Sequence, residues 1–386
     1  MKQLTDLTVV EAHAGLQKRE FTSVELTHAC LDLIAQKNPE LNAFLTVTGE
    51  LALQQAHAAD LVIAKQKKFH PLCGIPFSVK DAICVANVRS TGAAKILDTY
   101  IPPYSATTVQ RVLDTGAVLL GKTNCDAFGH GSSNENSSYG PVKNPHDTNK
   151  VAGGSSGGSG AAVASGMGLF SLAEDTGGSV RMPASFCGVV GLKVSYGRNS
   201  RSGAMPMASS LDTVGPITKT VYDAALVEQV MAGVDLLDST TSQEQVPSYT
   251  KNIAQSLVGK KVGIPKEYFG DGISEDVRKH VQNAIEHLRE LGAQVQEVSL
   301  PMTKYAIATY YILVPSEDSS NLARMDGIRY GVANTEATEL FERYSYSRRD
   351  GFPNEVRRRI MFGTYALSSG YYDAYYVKAQ KVRTLI

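Results

Sequence analysis

Glycine is spread unevenly along this chain, and that unevenness limits what the chain can build. Of 34 glycines in 386 residues, 18 fall between positions 121 and 215. Glycine admits positive φ and lets backbone approach closely, at an entropic cost when it is ordered. A flexible linker would use the same residue. Here apolar residues stand between the glycines, which argues for ordered backbone built around a ligand. Residues 151–173 run for 23 positions without a charge, so a membrane span has to be considered. Seven of those residues are Gly, five are Ser and only six are larger apolar types, too little hydrophobicity for a span.

The remaining composition is that of an ordinary globular chain, with 43% apolar and 20% charged residues. Its 38 basic and 38 acidic side chains cancel, which argues against a nucleic-acid or anionic-membrane binder. Residues 1–11 are mixed and polar and do not read as a secretion signal. The five cysteines (Cys30, Cys73, Cys84, Cys125, Cys187) are scattered and form no CxxC. They point to reduced thiols in a cytoplasmic protein and to no zinc site. The length can bury a large core, as one α/β domain or two smaller ones.

The first 70 residues read as helical. TSVE at 22–25 has capping-box spacing, an apolar stripe from Val24 to Ile34 follows, and Pro39 is expected to end that helix. A second amphipathic helix is expected over 51–65. Residues 77–79 read as a strand, 107–114 as a short helix, and 117–120 (AVLL) as a buried strand. Residues 238–250 read as a polar loop. Strand 261–264, helix 274–291 and strand 293–298 form a strand–helix–strand unit that supports a mixed α/β sheet. The last 75 residues read as helical. They stop at Ile386 among helix formers with no terminator, so the chain is expected to be truncated there.

Three motifs compete for the chemistry. GAVLLGKT at 116–123 matches the phosphate-loop pattern, but its AVLL interior suits a buried strand better than a loop of inward-turned amides. VAGGSSGGSGAAVASG at 151–166 runs into an Ala-rich helix whose N-terminus would offer free amides. EDTGGSVRMPAS at 174–185 follows the apolar LFSLA and reads as strand, Gly-Gly turn and short helix. A serine on such a turn has an exposed hydroxyl beside amides that could form an oxyanion hole; alternatively it is a helix N-cap.

A candidate base is harder to find. None of the eight histidines (His13, His28, His57, His70, His130, His146, His280, His287) sits in a recognisable Ser-His-Asp context. A serine nucleophile then needs another base, and a buried lysine is the chief option. Lys80, at the end of the apolar strand PFSVKD, qualifies, because burial favours its neutral amine. The alternative for Lys80 is an ion pair with Asp81.

GGSSGGS and DTGGSVRMPASFCGVVGLK, with Lys80 upstream, resemble the amidase signature family. Ser155 and Ser179 are 24 apart and Lys80 precedes Ser179 by 99, the family's usual separations. GKTNCDAFGHGSSNENSSYGPVKNP, SSNLARMDGIRYG and RRIMFGTYALSSGYYDAYYVKAQKVRTLI resemble its tRNA-dependent amidotransferase branch. The resemblance covers essentially the whole chain, as one amidase domain over 1–386. It implies an α/β fold, one mixed, twisted central sheet covered by helices on both faces.

The resemblance also implies a Ser-Ser-Lys triad: Ser179 as nucleophile, Ser155 as bridge behind a cis peptide from Gly154, and Lys80 as base. The amides of Thr176, Gly177, Gly178 and Ser179 would stabilise the oxyanion. Gly129, His130, Tyr310 and Arg359 would line a glutamine pocket, with Arg359, or its neighbour Arg358, pairing the substrate carboxylate. Ammonia would go to mischarged Glu-tRNA(Gln) or Asp-tRNA(Asn). A B subunit would bind ATP and Mg, a C subunit would brace the pair, and this chain would hold no cofactor or metal. The sequence departs from the family at His130, where methionine is common, and at Ala173-Glu174, where Gly-Ser or Gly-Thr is usual. The rival functions are a stand-alone amidase acting on a small amide and a non-catalytic scaffold subunit.

Overall fold

The computed structural model describes residues 2–386, which divide into two compact units. The first comprises Met1–Tyr249 and Glu317–Met361, the second Thr250–Ser316 and Phe362–Ile386. In chain order the helices are α1 (Val9–Lys18), α2 (Ser23–Leu41), α3 (Gly49–Lys65), α4 (Thr107–Leu113), α5 (Gly157–Ala164), α6 (Arg181–Phe186) and α7 (Val221–Met231). They continue with α8 (Glu275–Glu290), α9 (Ala306–Asn321), α10 (Leu340–Gly351), α11 (Asn354–Ala366) and α12 (Lys378–Leu385). The strands of the first unit are β1 (Phe44–Val47), β2 (Pro76–Lys80), β3 (Val118–Thr123), β4 (Lys143–Asn144), β5 (Asp147–Val151), β6 (Phe170–Asp175), β7 (Val190–Gly191) and β8 (Thr213–Thr218).

Six of these strands form one sheet in the order β1-β3-β2-β6-β8-β7. β2 runs parallel to both β3 and β6, while β1 and β8 are antiparallel to their neighbours, so the sheet is mixed as expected. Every residue of β2, β3, β6 and β8 is buried. A strand buried on both faces needs cover on both, which explains why AVLL and LFSLA read as continuous apolar runs without alternation. GAVLLGKT belongs to β3: Gly121, Lys122 and Thr123 lie inside a fully buried strand, so it is no phosphate loop.

The expected capping box closes the start of α2: Thr22 Oγ1 accepts from the Glu25 amide, and Glu25 accepts from the Thr22 amide. Pro39 does not end that helix. It lies inside the last turn, where its fixed φ is already helical and only one intrahelical bond is forgone. The helix stops at Asn42, which takes the left-handed conformation at φ 53°.

In the second unit, β9 (Lys261–Pro265), α8 and β10 (Gln294–Val298) form the expected strand–helix–strand unit. Its strands pair in parallel with each other and are not part of the six-stranded sheet. Both are largely exposed, a pattern that could not fill a central position. The C-terminal 75 residues are mostly helical, broken by an irregular stretch over 325–339, where Gly327 and Gly331 take positive φ, and by short turns at 352–353 and 367–371.

Candidate active site

β2 and β6 run parallel side by side, which brings Lys80 to the same end of the sheet as Glu174 and Asp175, the last residues of β6. Lys80 is wholly buried, and its Nζ stands 2.7 Å from Ser155 Oγ. Ser155 sits just before α5, and the Gly154–Ser155 peptide is cis, as the resemblance implies. A Cβ at position 154 would lie 2.2 Å from Asp126 Oδ2, so only glycine fits there. That Asp126 carboxylate is held by the Asn134 and Asn136 amides, and its own amide donates to the Ser155 carbonyl.

The turn after β6 carries the second serine. Asp175 builds it. Oδ1 accepts from the Gly178 amide at 2.7 Å and from Arg181; Oδ2 accepts from the Val180 amide at 3.0 Å and from Arg181 Nε at 3.0 Å. Burial pushes the Asp175 carboxyl up, but the hydrogen bonds from Arg181 and from the Val180 and Gly178 amides outweigh it and hold it below its ordinary value. Ser179 is 5% exposed, and its carbonyl accepts from the Ser156 amide, which fastens this turn to the segment carrying Ser155. Ser179 does not cap α6: the N-cap position is Val180, with no side-chain cap.

Of the expected oxyanion donors, the Gly178 amide is engaged by Asp175. The amides of Thr176, Gly177 and Ser179 have no acceptor among the described residues. The Thr176 hydroxyl donates to Asp212 Oδ1 at 2.6 Å. Burial, aided by the nearby Glu174 charge, pushes the Asp212 carboxyl up to about 7. Asp212 also forms part of the wall of a cleft of about 390 Å³ lined by Met205, Arg201, Arg324 and Tyr330.

Of the residues expected to line a substrate pocket, Gly129 and His130 lie beside Glu174. Gly129 has φ +83°, and a Cβ there would meet Met207 Sδ at 3.1 Å and Glu174 Oε1 at 3.6 Å. His130 is wholly buried; its Nδ1 lies 3.0 Å from the Ala127 and Phe128 carbonyls and its Nε2 3.0 Å from Asp318 Oδ1. Arg359 is 6% exposed with Nε on Glu355, while Arg358 is a surface residue. Tyr310 belongs to the second unit and meets Tyr311 edge to face. Lys80 does not pair with Asp81, whose ion-pair partner is Lys122 at 3.6 Å. Its carboxylate partner is Glu174, at 3.2 Å.

Sequence reasoning missed Asp126, Asp175, Asp212 and Asp318. The available signal was a carboxylate within an otherwise uncharged or apolar run, which has to find a partner when buried. Among the described residues no group of three or more His, Cys, Asp or Glu side chains could hold a metal, and no helix is long and apolar enough to cross a membrane.

A family model described as "Amidase" matches residues 25–386. The A subunit of the Glutamyl-tRNA(Gln) amidotransferase of Koribacter versatilis is 50% identical over 380 residues, 98% of this chain and 79% of that one. The protein of the same name from Carboxydothermus hydrogenoformans is 50% identical over 384 residues, 100% of this chain and 79% of that one. Among solved structures, the A subunit of the Glutamyl-tRNA(Gln) amidotransferase of Thermotoga maritima superposes with a TM-score of 0.79 at 38% identity, covering 100% of this chain and 76% of that one. A peptide amidase from Stenotrophomonas maltophilia gives 0.81 at 28% identity, over 97% of this chain and 78% of that one.

Proposed function

The chain belongs to the amidase family, and on that premise we propose that it is the glutamine-hydrolysing subunit of a tRNA-dependent amidotransferase. The observation that carries the reading is the 2.7 Å contact between buried Lys80 Nζ and Ser155 Oγ, with the Ser179 turn fastened alongside. Relatives 50% identical along essentially the whole chain, named for Glu-tRNA(Gln) amidotransfer, support the choice of reaction. The family match takes in both compact units, which supports one amidase domain.

Neutral Lys80 takes a proton from Ser155, which takes one from Ser179 as Ser179 attacks the glutamine side-chain amide. The Thr176, Gly177 and Ser179 amides receive the developing oxyanion; Gly178 contributes by turning the chain, its φ being +134°. Ammonia leaves, and water hydrolyses the glutamyl ester. Arg359, the buried member of the arginine run, holds the substrate carboxylate. Ammonia is useful only where a carboxylate is activated. With GAVLLGKT inside a strand and no net positive charge for tRNA, we assign activation by ATP and Mg to a B subunit, with a C subunit bracing the pair.

The test is a bypass. In an assembly reconstituted with its partners, Ser179→Ala should abolish glutamine-dependent amidation of mischarged tRNA, with a loss of roughly 10⁴-fold or more. Amidation with added ammonium salt should persist. Normal glutamine hydrolysis by the folded variant would refute the assignment.

A further inference from the structure

Among the described residues, one carboxylate lies within ion-pair distance of Lys80 Nζ, and the proton relay does not use it. Glu174 Oε1 stands 3.2 Å from Lys80 Nζ, with both side chains almost wholly buried. Neither Glu174 oxygen has a hydrogen bond of good geometry. A buried carboxylate without donors is costly unless a cation faces it, so Glu174 is electrostatically committed to Lys80. Among the other titratable groups around it, His130 relieves it in part. His130 faces it from the turn after β3, but its Nε2 is turned to Asp318 of α9. Asp212, before β8, is itself pushed up in part by the Glu174 charge, Asp126 is satisfied by backbone amides, and Cys125 is neutral and buried. Burial raises the Glu174 carboxyl, against the lowering influence of Lys80 and His130.

We propose that Glu174 is a positioning residue behind the base: it orients Lys80 toward Ser155 and stabilises the ammonium formed when the serine proton arrives. The relay then has four members, Ser179, Ser155, Lys80 and Glu174, and the carboxylate serves the amine as a buried aspartate serves a catalytic imidazole. The proton moves from Ser179 Oγ to Ser155 Oγ, and the Ser155 proton moves to Lys80 Nζ. Glu174 accepts no proton in this step. A carboxylate at this position favours the ammonium that the relay forms, and so favours removal of the serine proton.

This inference rests on reading Lys80 as the base and Ser179 as the nucleophile. The experiment therefore avoids assuming glutamine. A fluorophosphonate phosphonylates an activated serine: the Ser179 Oγ–P bond forms, fluoride leaves, and the serine proton passes to Lys80 and on to water. The labelling rate of the full chain at Ser179 is followed against pH. In Glu174→Gln the midpoint of the rise should move to lower pH by about one unit or more, and the plateau rate should fall about tenfold. Glu174→Asp, which keeps the charge, should hold the midpoint within about half a unit of wild type. Should Glu174→Gln fail to fold, Glu174→Ser must show the same displacement. A uniform slowing with the midpoint unmoved would make Glu174 a packing residue and overturn the proposal. Wild-type chain that never labels at Ser179 would overturn the serine reading itself, and this inference with it.

Discussion

Asp175→Asn removes the group that builds the nucleophile turn while nearly preserving its volume. In the wild type, one carboxylate oxygen takes the Gly178 amide and the other the Val180 amide, and both also meet Arg181. Asparagine has a single acceptor oxygen, so its NH₂ must face one of those two buried donors. An unsatisfied buried amide costs about 1–3 kcal/mol, and the surviving bond loses its charge assistance. The Arg181 side chain is 51% exposed, so its ion pair adds at most about 1 kcal/mol. The expected loss is about 2–4 kcal/mol, read as a lower urea midpoint. A turn displaced by about 1 Å should slow the chemistry by roughly 10²-fold, read as ammonia release from glutamine. The sign with pH follows from a carboxyl held below its ordinary value. Its contribution is present in full above the ordinary aspartate value and fades as pH falls through the folded one, so wild type and variant should converge in acid. An unchanged urea midpoint together with wild-type turnover would show that Asp175 does not organise the turn.

Lys80→Arg should be nearly as inactive as Lys80→Ala, because arginine keeps the charge but cannot serve as a base near neutral pH; near-wild-type turnover would leave Lys80 only its pairing role. Glu228, buried on α7 and accepting from Asn199, is pushed up from an ordinary 4.5 to about 7 by burial. That rise corresponds to about 3 kcal/mol of stability, present in acid and lost as pH climbs toward 7. Glu228→Gln should remain flat over that range in urea titrations, and parallel curves for the two proteins would contradict this. Gly158→Ala would place a Cβ 2.4 Å from the Asn124 carbonyl and 2.5 Å from that of Ala43, so a loss of about 1–3 kcal/mol is expected on melting.

Local physics made much of this protein legible from its residues alone. The α2 cap needs only Thr22 and Glu25 three apart, and β3 needs only a run of apolar residues that no loop would carry. The strand–turn–helix around Ser179 follows from LFSLA, two glycines and the helix formers after them. The meeting of Lys80 with Ser155 was implied by resemblance, not by any local pattern, since it depends on β2 and α5 converging from distant stretches. Other features were decided only by the tertiary structure. The Gly178 amide is spent on Asp175 because the turn closes on the carboxylate before it, and β9 and β10 pair with each other because both are too exposed for a central place. Pro39 stays within the helix, which ends only where Asn42 turns left-handed. Lys80 meets Glu174 instead of the adjacent Asp81 because β6 runs parallel beside β2 and carries Glu174 past the end of β2, while Asp81, just beyond that end, meets Lys122 of β3. Sequence neighbours could suggest an ion pair with Asp81, but the pairing of β2 with β6 chose the partner.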